Sequence, residues 1–324
     1  MTAAARTDNT THLRTRRAAR TATVIAGPSL VLAAAPLYLA PYATTTLTRI
    51  LIFGLLAASL DLLVGVVGLP SLGHAAFFGV GAYAAAWTAG HSTASPMALV
   101  VAVLAAAVVS LVAGSVAVRS SGVFFLMLTL AVGELMQQAA DSWASVTGGS
   151  NGLYGVPAPS LWGHVVDQPA TTYWYVLTFF VLGMVVLRLA STSSPGMVLR
   201  GVRDSEIRMR ALGYPTTRVK LGAFVVAGAV AGLAGGLLAA QQRLVTPADV
   251  GFTTSALALL AVVIGGTGSW WGPCLGAALV IVIRDMLGAS IDGHGPLALG
   301  LMFVLVVYLM PAGIARFRAR RNVS

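Results

Sequence analysis

"SSPGMVLRGVRDSEIRMRALGYPTTRVK", residues 193–220, holds eight of the thirty charged side chains of a chain in which charged residues make up only 9%. Both flanks are apolar over the length of a membrane span, 172–190 before it and 220–240 after it, so the stretch reads as a polar segment joining two transmembrane helices. That reading decides the fold class: an all-α integral membrane protein, a polytopic helical bundle whose charge is gathered outside the lipid.

The composition agrees. The 324 residues are 57% hydrophobic with a mean hydropathy of +0.85, whereas about a quarter of a soluble domain is charged. The apolar runs, about 17–23 residues each, suit helices crossing about 30 Å of hydrocarbon and not the alternating ten-residue strands of a barrel. A net charge of +10 would suggest nucleic acid in a soluble protein. Here it lies beside spans, where membrane lipid and orientation account for it, and nucleic acid is excluded as a partner. Cys274 is the single cysteine, so no intrachain disulfide is possible, and a packed small residue is its expected role. No metal-ligand cluster and no nucleophile motif stands out.

Spans are predicted near 22–40, 47–67, 72–90, 96–118, 122–140, 172–190, 220–240, 255–264, 272–290 and 296–314. The break "GGTGSWWGP", residues 265–273, separates two of them, and 255–264 is short for a crossing. The expectation is therefore eight to ten transmembrane helices with broken or re-entrant glycine-rich segments. Residues 1–20 hold five arginines between Arg6 and Arg20 and read as an uncleaved basic tail held in the cytoplasm rather than a signal peptide. Arg119, then Arg200, Arg203, Arg208, Arg210, Arg218 and Lys220, then Arg316, Arg318, Arg320 and Arg321 mark cytoplasmic segments. The segment 141–171 has no Lys or Arg, only Asp141 and Asp167, and belongs outside. The resulting plan is a cytoplasmic tail (1–20), a membrane domain (21–316) with an external loop (141–171) and a cytoplasmic loop (191–219), and a basic cytoplasmic tail (317–324).

Within the cytoplasmic loop local signals describe one helix. Ser194 can cap it, Pro195 suits its first position, Gly213 can end it in the left-handed conformation and Pro215 forbids continuation. Val198, Val202, Ser205, Met209 and Leu212 fall on one stripe; Arg200, Asp204 and Arg208 follow in i,i+4 steps, and Glu206 pairs with Arg210. Such a helix either lies in the lipid interface or docks its narrow apolar stripe in a groove of a partner protein.

Four blocks carry a family resemblance. They are "LDLLVGVVGLPSLGHAAFFGVGAYAAAW" (60–87), "TLAVGELMQQAADSWASVTGGSNGL" (129–153), "GVRDSEIRMRALGYPTTRVKLGAFVVAGAVAGLAGGLLA" (201–239) and "LALLAVVIGGTGSWWGPCLGAAL" (257–279). In this order they resemble the LivM-type inner-membrane permeases of branched-chain (hydrophobic) amino acid ATP-binding-cassette importers. The family usually has Asn at the position of Asp61 and a less rigid residue at that of Pro70. The resemblance implies a multi-pass protein of the bacterial cytoplasmic membrane working by alternating access. Its implied partners are a paralogous permease subunit, two ATP-binding subunits that carry ATP and Mg, and an external solute-binding protein. It makes the charged helix the coupling helix, with Arg203, Asp204, Glu206, Arg208, Leu212 and Gly213 on the ATPase. It puts Thr147, Gly148, Gly149, Asn151 and Gly152 toward the binding protein; interfacial anchoring of that loop by its aromatic residues is the other reading.

The chain cannot hydrolyse ATP through a P-loop. G-x-x-x-x-G-K-[ST] needs a lysine after glycine, and the one lysine, Lys220, follows Val219. An ATP-driven transporter built on this chain needs separate motor subunits, and the chain itself is expected not to be an enzyme and to hold no cofactor.

Two glycine-broken segments are candidates for the translocation path: the first with Ser71, Gly73, His74, Phe77 and Gly79, the second with Gly265 and Gly266. Broken backbone at membrane depth is tolerated where protein or a water-filled cavity surrounds it, and helix packing alone is the other reading. Gly68 and Gly79 recur at Gly265 and Gly276, a weak internal echo. Among ionisable groups inside spans, Asp61 and Glu134 are the main candidates. Glu134 is expected in a hydrogen-bond cluster with Gln137 and Gln138, Arg188 to snorkel, and Arg284 and Asp285 to find separate partners. The competing functions are a stand-alone secondary transporter coupled to ions through Asp61 and Glu134, and a passive channel for urea or small amides. The cargo, a branched-chain amino acid or a related small polar solute, is not spelled out by any motif.

Overall fold

The computed structural model describes residues 32–36, 40–91, 95–161 and 164–290, with the isolated positions 300, 301, 304, 308 and 313. Most of the expected spans at 22–40 and 296–314, and both basic tails, lie outside the described residues. The described helices of six residues or more are α1 (Pro41–Asp61, continued by a π-helical turn, Leu62–Val67), α2 (His74–His91), α3 (Ser95–Ala117), α4 (Val123–Ser142), α5 (Pro169–Thr192), α6 (Ser194–Asp204), α7 (Glu206–Ala211), α8 (Thr216–Gln242), α9 (Phe252–Gly265) and α10 (Gly272–Ser290). Short strands are β1 (Leu153–Tyr154), β2 (Ser160–Leu161), β3 (His164–Val165) and β4 (Leu244–Val245). β1 pairs antiparallel with β4, and β2 with β3.

The protein is an all-α polytopic membrane bundle. Among the described residues, five stretches are long and apolar enough to cross a bilayer: Pro41–Val67, Pro96–Ala117, Val123–Ser142, Pro169–Thr192 and Thr216–Gln242. Each expected span inside the described residues is a helix; most ends fall within four residues of those expected, while α1 begins six residues before the expected 47. Prolines open α1 and α5, where a missing N–H costs nothing.

α8 is the central column, packed on α1, α2, α3 and α5. Its glycines let neighbouring backbones touch: a methyl group at Gly235 would overlap the Phe78 carbonyl of α2. Between lipid-soluble helices this close contact replaces the hydrophobic drive available in water. Phe77, Phe125 and Phe224 interlock edge to face, with centroids 5.3 Å apart for Phe77 and Phe224 and 6.1 Å for Phe125 and Phe224. Cys274 packs on α1 as expected, its Sγ 3.7 Å from the Gly54 carbonyl oxygen.

α5 and α8 run in opposite directions and define two ends. The β1–β4 pair closes one end, where Arg243 bonds Asp167. α6 and α7, joining α5 to α8, form the other. The segments around 141–168 and 193–215 thus lie at opposite ends of the bundle.

Candidate coupling site

The charged segment is not one helix. Ser205 adopts extended backbone (φ −165°, ψ 101°) and separates α6 from α7, and its hydroxyl accepts the Arg208 N–H at 3.4 Å. Ser-Glu at the start of a helix is an N-cap followed by an acid in the first turn, so the break was encoded in residues assigned to a continuous stripe. The first cap is Ser193 rather than Ser194, its Oγ accepting the Gly196 N–H at 3.3 Å. Because of the break, Gly196, Leu199 and Val202 face the bundle, while Leu212, expected on the buried stripe, is exposed. Met209 lies back against Gly201. Gly213 ends α7 as expected, at φ 84°. Tyr214 N–H bonds the Met209 carbonyl and Gly213 N–H that of Arg210, the two bonds of a Schellman motif.

Glu206 ties α7 to the bundle. Its Oε1 is 3.0 Å from Lys220 Nζ and 2.7 Å from Arg210 Nη2, and it accepts the Thr216 hydroxyl at 3.3 Å. The expected Glu206–Arg210 pair forms. Lys220, whose side chain is 3% exposed, was not foreseen as a partner, because nothing in the spacing shows that α8 folds back under α7. Partial burial pushes the Glu206 carboxyl up, but the hydrogen bond and charge of Lys220, then those of Arg210, outweigh it and hold the group below its ordinary value.

α6 reaches both broken segments. Arg203 donates to the Gly65 carbonyl, and its side chain lies against Gly68, which ends the π-helical turn at φ 82°. Gly65 in turn packs on the backbone of Gly268 in the second break. There the Gly268 N–H donates to Asp61 Oδ1 at 2.8 Å. Carbonyl acceptance is common to Asp and Asn, so this contact suits either residue at position 61. Asp61, Arg188, Arg200, Arg203, Asp204 and Trp270 line a cavity of about 420 Å³ at this end of the bundle. Arg188, expected to snorkel, places its guanidinium carbon 5.2 Å from the Trp270 ring centroid. Arg200 Nη2 donates to the Ser191 carbonyl at 2.6 Å, a partner its i,i+4 spacing did not suggest.

On the outer side of α7, Ile207, Arg208, Leu212, Gly213 and Tyr214 are exposed. Ile207, 83% exposed, is the residue that the single-helix stripe missed. Two residues from both Ser205 and Met209, it stands opposite that stripe, on the outward side of α7.

The residues around the first break are buried. His74 Nε2 is 2.9 Å from Ser59 Oγ, whose own hydrogen goes to the Leu56 carbonyl, so the histidine is the donor. Ala75 N–H bonds Ser255 Oγ at 2.9 Å, and Leu72 N–H bonds Thr129 Oγ1 at 3.2 Å. Gly73 lies on the Thr129 backbone, Gly79 on Val250, and Gly265 on Gly272. Ser71, His74 and Phe77 are fully enclosed; Gly266 ends α9 at φ 98°. This polar knot joins α1, α2, α4 and α9. Both breaks share a pattern, a glycine at positive φ followed within a few residues by a new helix.

Glu134 does not join a cluster. It is exposed near the middle of α4, Gln137 turns inward against Gly251, and Gln138 Nε2 donates to Ser142 Oγ at 3.2 Å. At about 100° per residue Gln137 stands about 60° round the helix from Glu134, at the edge of the exposed side, where its amide reaches Gly251 instead of the carboxylate. Asp285 bonds Arg49 at 3.3 Å, away from its neighbour Arg284. At the strand end Thr147 donates to the Ala140 carbonyl at 2.6 Å, and Gly148, Gly149 and Gly152 take positive φ. In this braced turn Asn151 is exposed while Thr147, Gly149 and Gly152 are buried.

Comparison of the sequence with known proteins finds relatives. Residues 42–310 match the family described as branched-chain amino acid transport system / permease component. The chain is 30% identical over 295 residues to the "high-affinity branched-chain amino acid transport system permease protein LivM" of Salmonella typhimurium, covering 82% of this chain and 68% of that protein, with the same figures for its counterpart in Escherichia coli. It is 30% identical over 149 residues to the permease protein BraD of Pseudomonas aeruginosa, covering 44% of this chain and 48% of that protein. No solved structure matches. By the extent of these matches, the chain belongs to the permease component family of branched-chain amino acid transport systems.

Proposed function

We propose that this chain is one transmembrane half of an ATP-driven importer of branched-chain amino acids, moved by separate ATPase subunits that dock on α6 and α7. The observation that carries this reading is the construction of α7. One side is tied by Glu206 to Lys220 and α8, while the other presents Ile207, Arg208, Leu212 and Tyr214. An apolar residue flanked by cations on a firmly held helix is a docking surface, and Arg203 links that surface to the two broken segments. ATP and Mg belong to the motor subunits. A paralogous permease completes the pathway, and an external solute-binding protein delivers the cargo to the strand end around Asn151. In this reading the α6–α7 end and both termini face the cytoplasm of a bacterial inner membrane.

Reconstitution tests it. The expected result is no uptake by the chain alone, with or without an ion gradient, and ATP-dependent uptake once partner subunits are present. Ile207→Asp is expected to abolish coupled uptake while insertion persists. Uptake by the isolated chain under a proton or sodium gradient would overturn the assignment.

A further inference from the structure

Among the described residues, three helices present broad faces to the outside of the bundle, and they differ in one respect. The outward residues of α3 (Leu104, Val108, Val112) and of α5 (Leu182, Val186, Leu189) are apolar. Exposed hydroxyls on these helices, such as Ser115, Thr178 and Thr192, are bonded to carbonyls of their own helices at 2.7, 2.9 and 2.7 Å. Both faces suit lipid. α4 is different: Met127, Ala131, Glu134, Gln138 and Asp141, at spacings of four, three, four and three, are all exposed. At about 100° per residue this stripe lies opposite the buried residues Phe125, Thr129, Gly133 and Ala140. Its outward direction therefore follows from the helix geometry and does not depend on one rotamer.

Glu134 sits about 16 Å along α4 from Val123, at 1.5 Å per residue. A carboxylate there cannot snorkel to either interface as a terminal Lys or Arg can. Membrane-embedded charges face a bundle interior or a water-filled cavity, and among the described residues Glu134 faces neither. The apolar flank of α4, Leu128, Val132 and Leu135, meets Val108, Val112 and Val116 of α3 across a lipid-like cleft, so the polar stripe begins where that cleft ends.

We infer that the Ala131–Glu134–Gln138 stripe of α4 is a wall of the aqueous translocation path, closed on its far side by the partner permease, while α3 and α5 face lipid. This rests on the importer reading for the identity of the partner, and it places the path on an outer helix face rather than at the enclosed glycine breaks. Glu134 is then the membrane-embedded anionic group that an ammonium-bearing solute passes.

Cysteine reactivity tests the stripe without requiring transport. A Cys274→Ala background removes the single native thiol, and single cysteines are placed at Ala131, Glu134 and Gln138, at the lipid-facing Val108, Val112 and Leu182, and at the buried Phe125. The assembled transporter in native membrane vesicles is treated with a membrane-impermeant charged thiosulfonate, which needs an ionised thiol and hence water. Rates at 131, 134 and 138 at least tenfold above those at 108, 112, 182 and 125 are expected. Equal rates at the stripe and at the lipid-facing positions would overturn the inference. Uptake by the Cys274→Ala parent is measured separately: a parent that transports without ATPase subunits sinks the importer reading and leaves the reactivity contrast to be judged on its own.

Discussion

Removing the carboxylate of Glu206 is expected to loosen α7 far more than removing its lysine partner. Lys220 Nζ sits 3.0 Å from Glu206 Oε1 with its side chain 3% exposed, whereas the Glu206 side chain is 25% exposed. Glu206→Gln leaves an ammonium enclosed without its counter-charge. Breaking a fully buried pair costs about 3–5 kcal/mol, and the partial exposure of Glu206 brings the expectation here to about 2–3 kcal/mol. Lys220→Met leaves a carboxylate that keeps Arg210, Thr216 and water, and about 1 kcal/mol is expected. The double variant removes both charges and should return to about 1 kcal/mol, well below the sum of the single effects. With about 1.4 kcal/mol for each factor of ten, native-state hydrogen exchange of the α7 amides should speed by about 30-fold or more in Glu206→Gln and by about fivefold in Lys220→Met. If the two single variants open α7 equally, or if the double variant is the sum of both, the tie between α7 and α8 does not hold the helix.

The same carboxyl sets a pH dependence. Its folded pKa is depressed, so its stabilisation is complete above the ordinary carboxylate value, about 4.3, and is lost as pH falls through the depressed value; protection factors of the α7 amides should stay level from pH 8 to about 5 and decline only in stronger acid. Asp61→Asn keeps an acceptor for the Gly268 N–H and should retain transport within a few fold. Asp61→Leu strands that amide at a cost of about 1–3 kcal/mol and should abolish uptake; equal uptake in the two variants would show that the bond is dispensable. Gly235→Ala forces a methyl into the Phe78 carbonyl, whereas Gly222→Ala meets nothing within 4 Å. A marked drop in melting temperature in detergent is expected for the first variant and little change for the second.

Helix positions were legible in the sequence because lipid imposes a length, and apolar runs of that length are hard to hide. Local signals were legible too: Gly213 ends its helix, Cys274 packs, and Glu206 meets Arg210. Tertiary partners were not. Periodicity gave Leu212 to the buried stripe because a stripe assumes an unbroken helix, and it overlooked that Ser205 caps as well as it packs. The bond from Gly268 to Asp61 spans two distant segments, and only the folded backbone brings them together. Glu134 is legible as a costly charge, but its direction depends on which face of α4 the bundle covers.

The chemistry of Lys220 reaches beyond docking. It is the single lysine of the chain, and its amine is sealed beneath α7, so reagents that acylate side-chain amines find none accessible while the helix pair stays closed. Lysine-directed cross-linking would then find no side chain of this subunit to link, even inside a heavily labelled complex. A lysine placed at Ile207 would then be a lone handle, able to report by its own modification whether that surface is covered.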